Sequence, residues 1–216
     1  MGSCAHHLCV CFAAMVVTFV GMVLTSPWFQ GILVYLNYLH STPWVDLSHP
    51  ELPSVFFAGL EDTEAFTVPG PAGTIGAWHV RPRKELQLGA PPVVVLYFHG
   101  NCETRAHVQH WAPHKINFYT REMGFHVILF DYRGFGDSEG NPTEAGLTVD
   151  AHTIWQYLHN SAMSMFGAQP SVWIVHGHSL GTGVLSQFLS TSPDPLPSAA
   201  VFEAPFTRTV RAFCSA

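Results

Sequence analysis

Positive charge is scarce in this 216-residue sequence, and the first basic residue is Arg81. Only 9 Lys and Arg are present against 15 Asp and Glu, which gives a formal net charge of −6. A protein that binds nucleic acid through phosphate contacts needs a basic surface. We therefore expect no nucleic-acid partner. Flanking positive charge is also the signal that orients a membrane segment, so no orientation can be predicted for one here.

The sequence also lacks a cysteine pattern that would predict a disulfide framework or a zinc site. Of the 5 cysteines, three are crowded at the N-terminus and the other two are isolated. His107, His110 and His114 have helical spacing, but Pro113 interrupts the helix, and no carboxylate or cysteine accompanies them. We expect a solvated helix face at these histidines, no bound metal and no cofactor.

A long apolar run lies near the N-terminus. Residues 8–24 carry no charge, and a run of this length is at the short end of what spans a bilayer as a helix. We interpret residues 1–26 as a single-pass membrane anchor, with a cleaved signal peptide as the alternative. Residues 27–53 are interpreted as an interfacial or linker segment because aromatic, apolar and polar side chains mix there. A buried helix packed on the domain is an equal alternative for its first part.

Residues 54–216 are predicted to form a partial α/β domain. Apolar, β-branched runs at 91–101, 125–140 and 171–177 are typical of buried parallel strands. Between the second and the third run, Leu147, Ala151, Ile154 and Leu158 have helical spacing. An earlier strand is predicted at 74–82. The alternation of strands and helices predicts a mostly parallel sheet with helices on both faces.

The motif Gly177-His178-Ser179-Leu180-Gly181 lies between a predicted strand and a predicted helix. A serine in such a turn faces the cleft above the sheet, and the glycines avoid a clash of Cβ atoms as the turn closes. We predict that Ser179 is a catalytic nucleophile. The N–H groups of Leu180 and of Asn101, in the loop after an earlier strand, are predicted to form an oxyanion hole.

Four motifs, in their order and spacing, resemble a known family. They are YFHGN, VILFDYRGFGDSEGNPTEAGLTVDA, VHGHSLGTGV and FEAPFT. They resemble the α/β-hydrolase fold and, more narrowly, the membrane-anchored monoacylglycerol and lysophosphatidylserine lipases grouped with α/β-hydrolase domain-containing protein twelve. The resemblance implies a doubly wound sheet and a serine hydrolase that cleaves the acyl ester of a monoacylglycerol or lysophospholipid. It also implies a membrane-attached domain on the luminal side of the endoplasmic reticulum.

One part of the family pattern is missing. The resemblance implies that an Asp and then a His follow the nucleophile, but no histidine occurs after His178. We therefore expect a C-terminally shortened hydrolase, whose own activity stays open. His99 is the alternative base, and His178 is expected to be structural because side chains on either side of the turn diverge. Glu203 could face the site, although its place in the family pattern is structural.

A second interpretation is an inactive, membrane-bound form that acts by interaction with other chains. In a shortened domain, the apolar strand at 198–206 would be an exposed edge, and such edges pair with other chains. Acyl transfer to an alcohol through the same serine is a weaker alternative. Asp131 and Arg133 are expected to hold the glycine-rich turn at 131–140 beside the cleft.

Overall fold

The computed structural model describes residues 2–26, 31, 34–37, 45–52, 62–83, 90–111 and 113–206. Parts of the predicted 27–53 segment, and the residues after 206, lie outside the described residues. The chain separates into two compact units, Met1–Leu36 and Asn37–Ala216. All the chemically informative motifs of the sequence fall in the second unit.

The first unit contains helix α1, Gly2–Thr25. The hydroxyls of Thr18 and Thr25 donate to the carbonyls of Ala14 and Gly21, four residues earlier, at 2.9 and 2.6 Å. These bonds satisfy both hydroxyls within the helix. Across the described ranges, however, no helix has the length and apolarity needed to cross a membrane. The apolar run is helical, as expected, because it lies within α1. The predicted transmembrane span, however, is not supported.

The second unit contains a sheet of six described strands in the order β1-β2-β4-β3-β5-β6. They are β1 Thr63–Gly70, β2 Gly73–Val80, β3 Val93–Phe98, β4 His126–Phe130, β5 Val172–His178 and β6 Ala199–Glu203. Strand β2 is antiparallel to β1 and to β4, whereas β4, β3, β5 and β6 run parallel to one another. The prediction of a mostly parallel sheet is confirmed.

Helices connect the parallel strands. They are α2 Arg105–Trp111, α3 Pro113–Asn117, α4 Glu144–Asn160, α5 Ala162–Phe166 and α6 Leu180–Ser190, with a π-helical turn at Phe118–Glu122 after α3. At the start of α4, the Thr143 hydroxyl accepts the N–H of Gly146 at 3.0 Å and so caps the helix. The four apolar positions that predicted α4 are all nearly completely buried, so this prediction is confirmed.

The two central strands explain why the sequence shows continuous apolar runs. Residues 94–98 of β3 and 127–130 of β4 are each at most 1% exposed. A strand covered on both faces has no solvent side, and apolar residues therefore follow one another without alternation. The edge strand β1 has no such run, because several of its residues are exposed or only partly buried.

A charge network fixes the glycine-rich turn after β4. The guanidinium of Arg105, only 2% exposed, bonds to the carboxylates of Asp131 and Asp137. Asp131 also accepts the backbone N–H of Arg105 at 2.6 Å, and so ties the start of α2 to the end of β4. Arg133 pairs with Asp150 of α4 at 2.6 Å. Asp131 and Arg133 thus hold this turn, as expected.

Candidate active site

The serine motif lies at the carboxyl end of the parallel strands. Strand β5 ends at His178 and α6 begins at Leu180, so the chain turns from strand to helix within Ser179 alone. Ser179 has φ 49° and ψ −116°, a conformation that L-residues rarely adopt. Such strain persists only where the surroundings impose it, and it is concentrated at functional sites.

Both glycines of the motif are required by close backbone approach. A Cβ at Gly181 would lie 2.1 Å from the carbonyl oxygen of Phe98 and 2.8 Å from that of His99. A Cβ at Gly177 would lie 2.7 Å from the oxygen of Gly181. Side chains do not fit at these distances, so α6 can begin directly against the end of β3 only because both positions are glycine.

Hydrogen bonds hold the main chain of Ser179 on both sides. Its N–H donates to the carbonyl of Glu203, at the end of β6, over 3.0 Å. Its own carbonyl accepts the N–H of Thr182 at 2.8 Å and the Thr182 hydroxyl at 2.7 Å. The serine is therefore fixed between the last residue of β6 and the first turn of α6.

The two predicted oxyanion donors lie on adjacent loops. Leu180 is the first residue of α6, where backbone N–H groups have no acceptor within the helix. Asn101 lies in the turn after β3, and the end of β3 is paired with the end of β5 through Phe98 and Gly177. This placement is compatible with an oxyanion hole formed by Asn101 and Leu180, which stays a prediction.

His178 contacts the loop after β3. Its Nδ1 lies 3.5 Å from Oε2 of Glu103, and the same oxygen accepts the N–H of Gly100 at 2.6 Å. Burial alone would raise the pKa of Glu103, but the nearby His178 ring and the bond from Gly100 outweigh that effect and lower the pKa. Nδ1 of His178 is thus turned toward this loop, and the structural role expected for His178 stays a prediction. The role of Glu103 was not predicted, because a contact between two loops leaves no periodic pattern in the sequence.

His99 is not placed as the base of Ser179. Its Nδ1 is bonded to the carbonyl of Gly100 at 2.8 Å, and its Nε2 lies 3.8 Å from a carboxylate oxygen of Asp131. The ring is 1% exposed and packs against Tyr132. Burial lowers the pKa of His99 although Asp131 opposes that effect. The sequence did not indicate Asp131 as its neighbour, and both ring nitrogens face groups other than the nucleophile.

The histidine-rich segment before the π-helical turn is divided as expected. Helix α2 ends at Trp111 and α3 begins at Pro113. The ring of His107 bonds to the hydroxyl of Thr104 at 2.9 Å, whereas the side chain of His110 lies outside the described residues. Within the described part of the chain, no group of three or more His, Cys, Asp and Glu side chains is arranged to hold a metal ion.

A cavity of about 540 Å³ lies beside the end of β6. Its walls combine aromatic and charged side chains: His114, Lys115, Phe118, Tyr119, Glu122, His176, Val201, Phe202 and Glu203. Glu203 binds Lys115 across this cavity, with 2.6 Å between Oε1 and Nζ. The side chain of Glu203 is therefore turned to the cavity, while its backbone carbonyl binds the nucleophile's N–H.

Comparison with known proteins agrees with this geometry. The lysophosphatidylserine lipase ABHD12 of Danio rerio is 33% identical over 207 residues, which cover 86% of this chain and 49% of that protein. Protein ABHD12B of Homo sapiens is 34% identical over 201 residues, covering 82% of this chain and 49% of that protein. The chain thus spans about half the length of these relatives.

A solved structure shows the same fold. The α/β hydrolase from Vibrio vulnificus superposes with a TM-score of 0.63 at 20% identity, over 88% of this chain and 62% of that one. The family described as the alpha/beta hydrolase fold matches residues 93–212, more than half of the chain. That range contains the loop after β3, the strained serine and strand β6. The chain therefore belongs to the α/β-hydrolase fold family, and over most of its length it is similar to the ABHD12 lipases.

Proposed function

We propose that this chain is a serine ester hydrolase that cleaves monoacylglycerols or lysophospholipids such as lysophosphatidylserine through Ser179. The observation that carries the proposal is the strained backbone of Ser179, which lies between two glycines where an added Cβ would clash with the main chain. The names of the relatives support the substrate class, since ABHD12 is a lysophosphatidylserine lipase. The same name supports an acyl ester as the bond that is cleaved, because a lipase hydrolyses lipid esters.

In the proposed reaction, the hydroxyl of Ser179 attacks the acyl carbonyl of the lipid. The N–H groups of Asn101 and Leu180 stabilise the oxyanion, aided by the positive end of the α6 dipole. The alcohol part of the ester then leaves with the proton that Ser179 lost, and water hydrolyses the acyl-serine to release the fatty acid and restore the serine hydroxyl. A serine nucleophile needs a base to accept its proton. Both ring nitrogens of His99 lie beside other groups, and Nδ1 of His178 faces Glu103, so neither ring is proposed as that base.

Lipid hydrolysis by the full chain tests this function. Release of fatty acid from a monoacylglycerol and from lysophosphatidylserine should exceed the uncatalysed rate, and Ser179→Ala should return it to that rate. Ser186→Ala is the matched control, because its hydroxyl only bonds to the carbonyl of Thr182 within α6 at 2.7 Å. Equal release by the wild type and the Ser179→Ala variant would contradict the proposal.

We also propose that α1 attaches the chain to a membrane, in the luminal endoplasmic reticulum placement that the resemblance implies. The support is the apolar surface of α1, where Leu8, Phe12 and Val17 are 68%, 65% and 71% exposed. A lipid substrate also favours a location beside a membrane. Flotation with phospholipid vesicles tests this: the full chain should float and a chain without residues 2–25 should not. Equal flotation of the two would exclude α1 as the attachment.

A second candidate function is association with other chains through β6. Within the described sheet β6 pairs only with β5, and Val201 and Phe202 are 39% and 42% exposed. An apolar strand with a free edge is a template for pairing with a second copy. Light scattering should then detect an oligomer that Val201→Lys converts to a monomer. A monomeric wild-type chain would exclude this candidate.

A further inference from the structure

We propose that Lys115 and Glu203, with His176, position the nucleophile by fixing the backbone carbonyl that accepts the N–H of Ser179. This inference rests on the proposed function of Ser179. None of these three side chains needs to touch the substrate. Each acts through the main chain of the turn and is a positioning residue.

The first step is the hydrogen bond between the two strand ends. Strands β5 and β6 pair in parallel, with His178 opposite Glu203, and the bond from Ser179 N–H to Glu203 O follows at the end of this ladder. Immediately after this bond the backbone turns sharply at the end of each strand, since Ser179 has φ 49° and Ala204 has φ 51°. Because both turns lie in a sparsely populated region, each must be held by its surroundings. Loss of the shared bond would remove one restraint from each turn.

The second step is the hold on the side chain of Glu203. One carboxylate oxygen lies 2.6 Å from Nζ of Lys115, which α3 contributes and which is 18% exposed. The other lies 3.3 Å from Nε2 of His176 in β5, a contact that does not have hydrogen-bond geometry. The second ring nitrogen of His176 bonds at 3.0 Å to the hydroxyl of Tyr119 in the π-helical turn. The ion pair with Lys115 therefore holds one oxygen of the carboxylate, and the His176 ring, fixed by Tyr119, lies against the other.

The third step is that little else holds the end of β6. Four of its five residues are exposed, and β5 is its one described strand partner. Burial would raise the pKa of Glu203, but the bond from Lys115 lowers it overall, so the carboxylate remains ionised and the pair persists near neutral pH. The Glu203 side chain is thus the main lateral anchor of the residue whose carbonyl binds Ser179.

Inactivation kinetics with a fluorophosphonate probe on the full chain provide the first test. A misplaced nucleophile slows the chemical step, so Lys115→Met and Glu203→Gln should lower kinact about 10- to 100-fold and leave KI unchanged. The charge-exchanged pair Lys115→Glu with Glu203→Lys should restore part of kinact. Arg81→Met is the matched control, because it breaks an exposed ion pair with Glu64 between β1 and β2. It should change neither constant.

Hydrogen exchange provides a second test that needs no catalysis. In Ser179→Ala protein, the backbone amide at position 179 should exchange about tenfold faster after Lys115→Met or Glu203→Gln, and at an unchanged rate after Arg81→Met. Unchanged exchange in folded Lys115→Met and Glu203→Gln proteins would overturn the inference, as would unchanged kinact. A wild-type chain that does not react with the probe would count against the proposed function. The exchange rates alone would then decide the inference.

Discussion

Replacing Gly181 with alanine is expected to destabilise the folded chain by about 3 kcal/mol or more and to abolish reaction at Ser179. The added Cβ would lie 2.1 Å from the carbonyl oxygen of Phe98 and 2.6 Å from its carbonyl carbon. These are backbone atoms of β3, which is hydrogen-bonded to β4 on one side and to β5 on the other. Strand β3 cannot move away without breaking its hydrogen bonds to β4 and β5, so α6 and Ser179 must move instead.

Gly183→Ala is the matched control, two residues further along the same helix. Its Cβ would meet only the ring of Phe206, at 3.3 Å, and a side-chain ring can shift. Alanine is favoured over glycine inside a helix by about 1 kcal/mol, so this variant should be as stable as the wild type or more so. Urea unfolding followed by circular dichroism measures both. Similar midpoints for the Gly181 and Gly183 variants would show that the close approach at Gly181 is not required.

Replacing Arg105 with methionine should cost about 3 to 5 kcal/mol of unfolding free energy. Arg105 neutralises Asp131, which is completely buried, and also binds Asp137. Without the guanidinium, the Asp131 carboxylate would still accept a hydrogen bond from the backbone N–H of residue 105, but it would lose the positive charge that neutralises it. A buried charge without its partner is far more costly than the same charge in water. The turn between β4 and α4 would be the first part to loosen.

The control for Arg105 is again Arg81→Met, in which an exposed ion pair is lost. Arg81 and Glu64 are both more than half exposed, so their pair should contribute less than about 1 kcal/mol. Urea unfolding of both variants separates the two cases. An Arg105→Met chain with the same midpoint as the Arg81→Met chain would contradict the account of this network.

The sequence indicated the parts of the fold that are governed by local rules. Continuous apolar runs predicted β3 and β4, helical spacing predicted α4, and the glycines around Ser179 predicted a turn that the structure contains. Each of these signals arises from residues that are neighbours in the chain, so one stretch of sequence suffices to show them.

Other features depend on residues that are far apart in the sequence. The partner of Glu203 is Lys115, in another element, and the carboxylate next to His99 is Asp131. Such pairs form only when the sheet has brought their elements together, so no spacing or composition signals them. The predicted membrane span had a clear compositional signal and is still not supported by the described helices.

Mass-spectrometric mapping of a fluorophosphonate adduct tests the central claim, that Ser179 is the nucleophile of this chain. We predict one covalent adduct on the folded full chain, located at Ser179, absent from the Ser179→Ala variant and present in Ser186→Ala. A folded wild-type chain that carries no adduct after prolonged exposure, or carries it on another residue, would contradict the assignment.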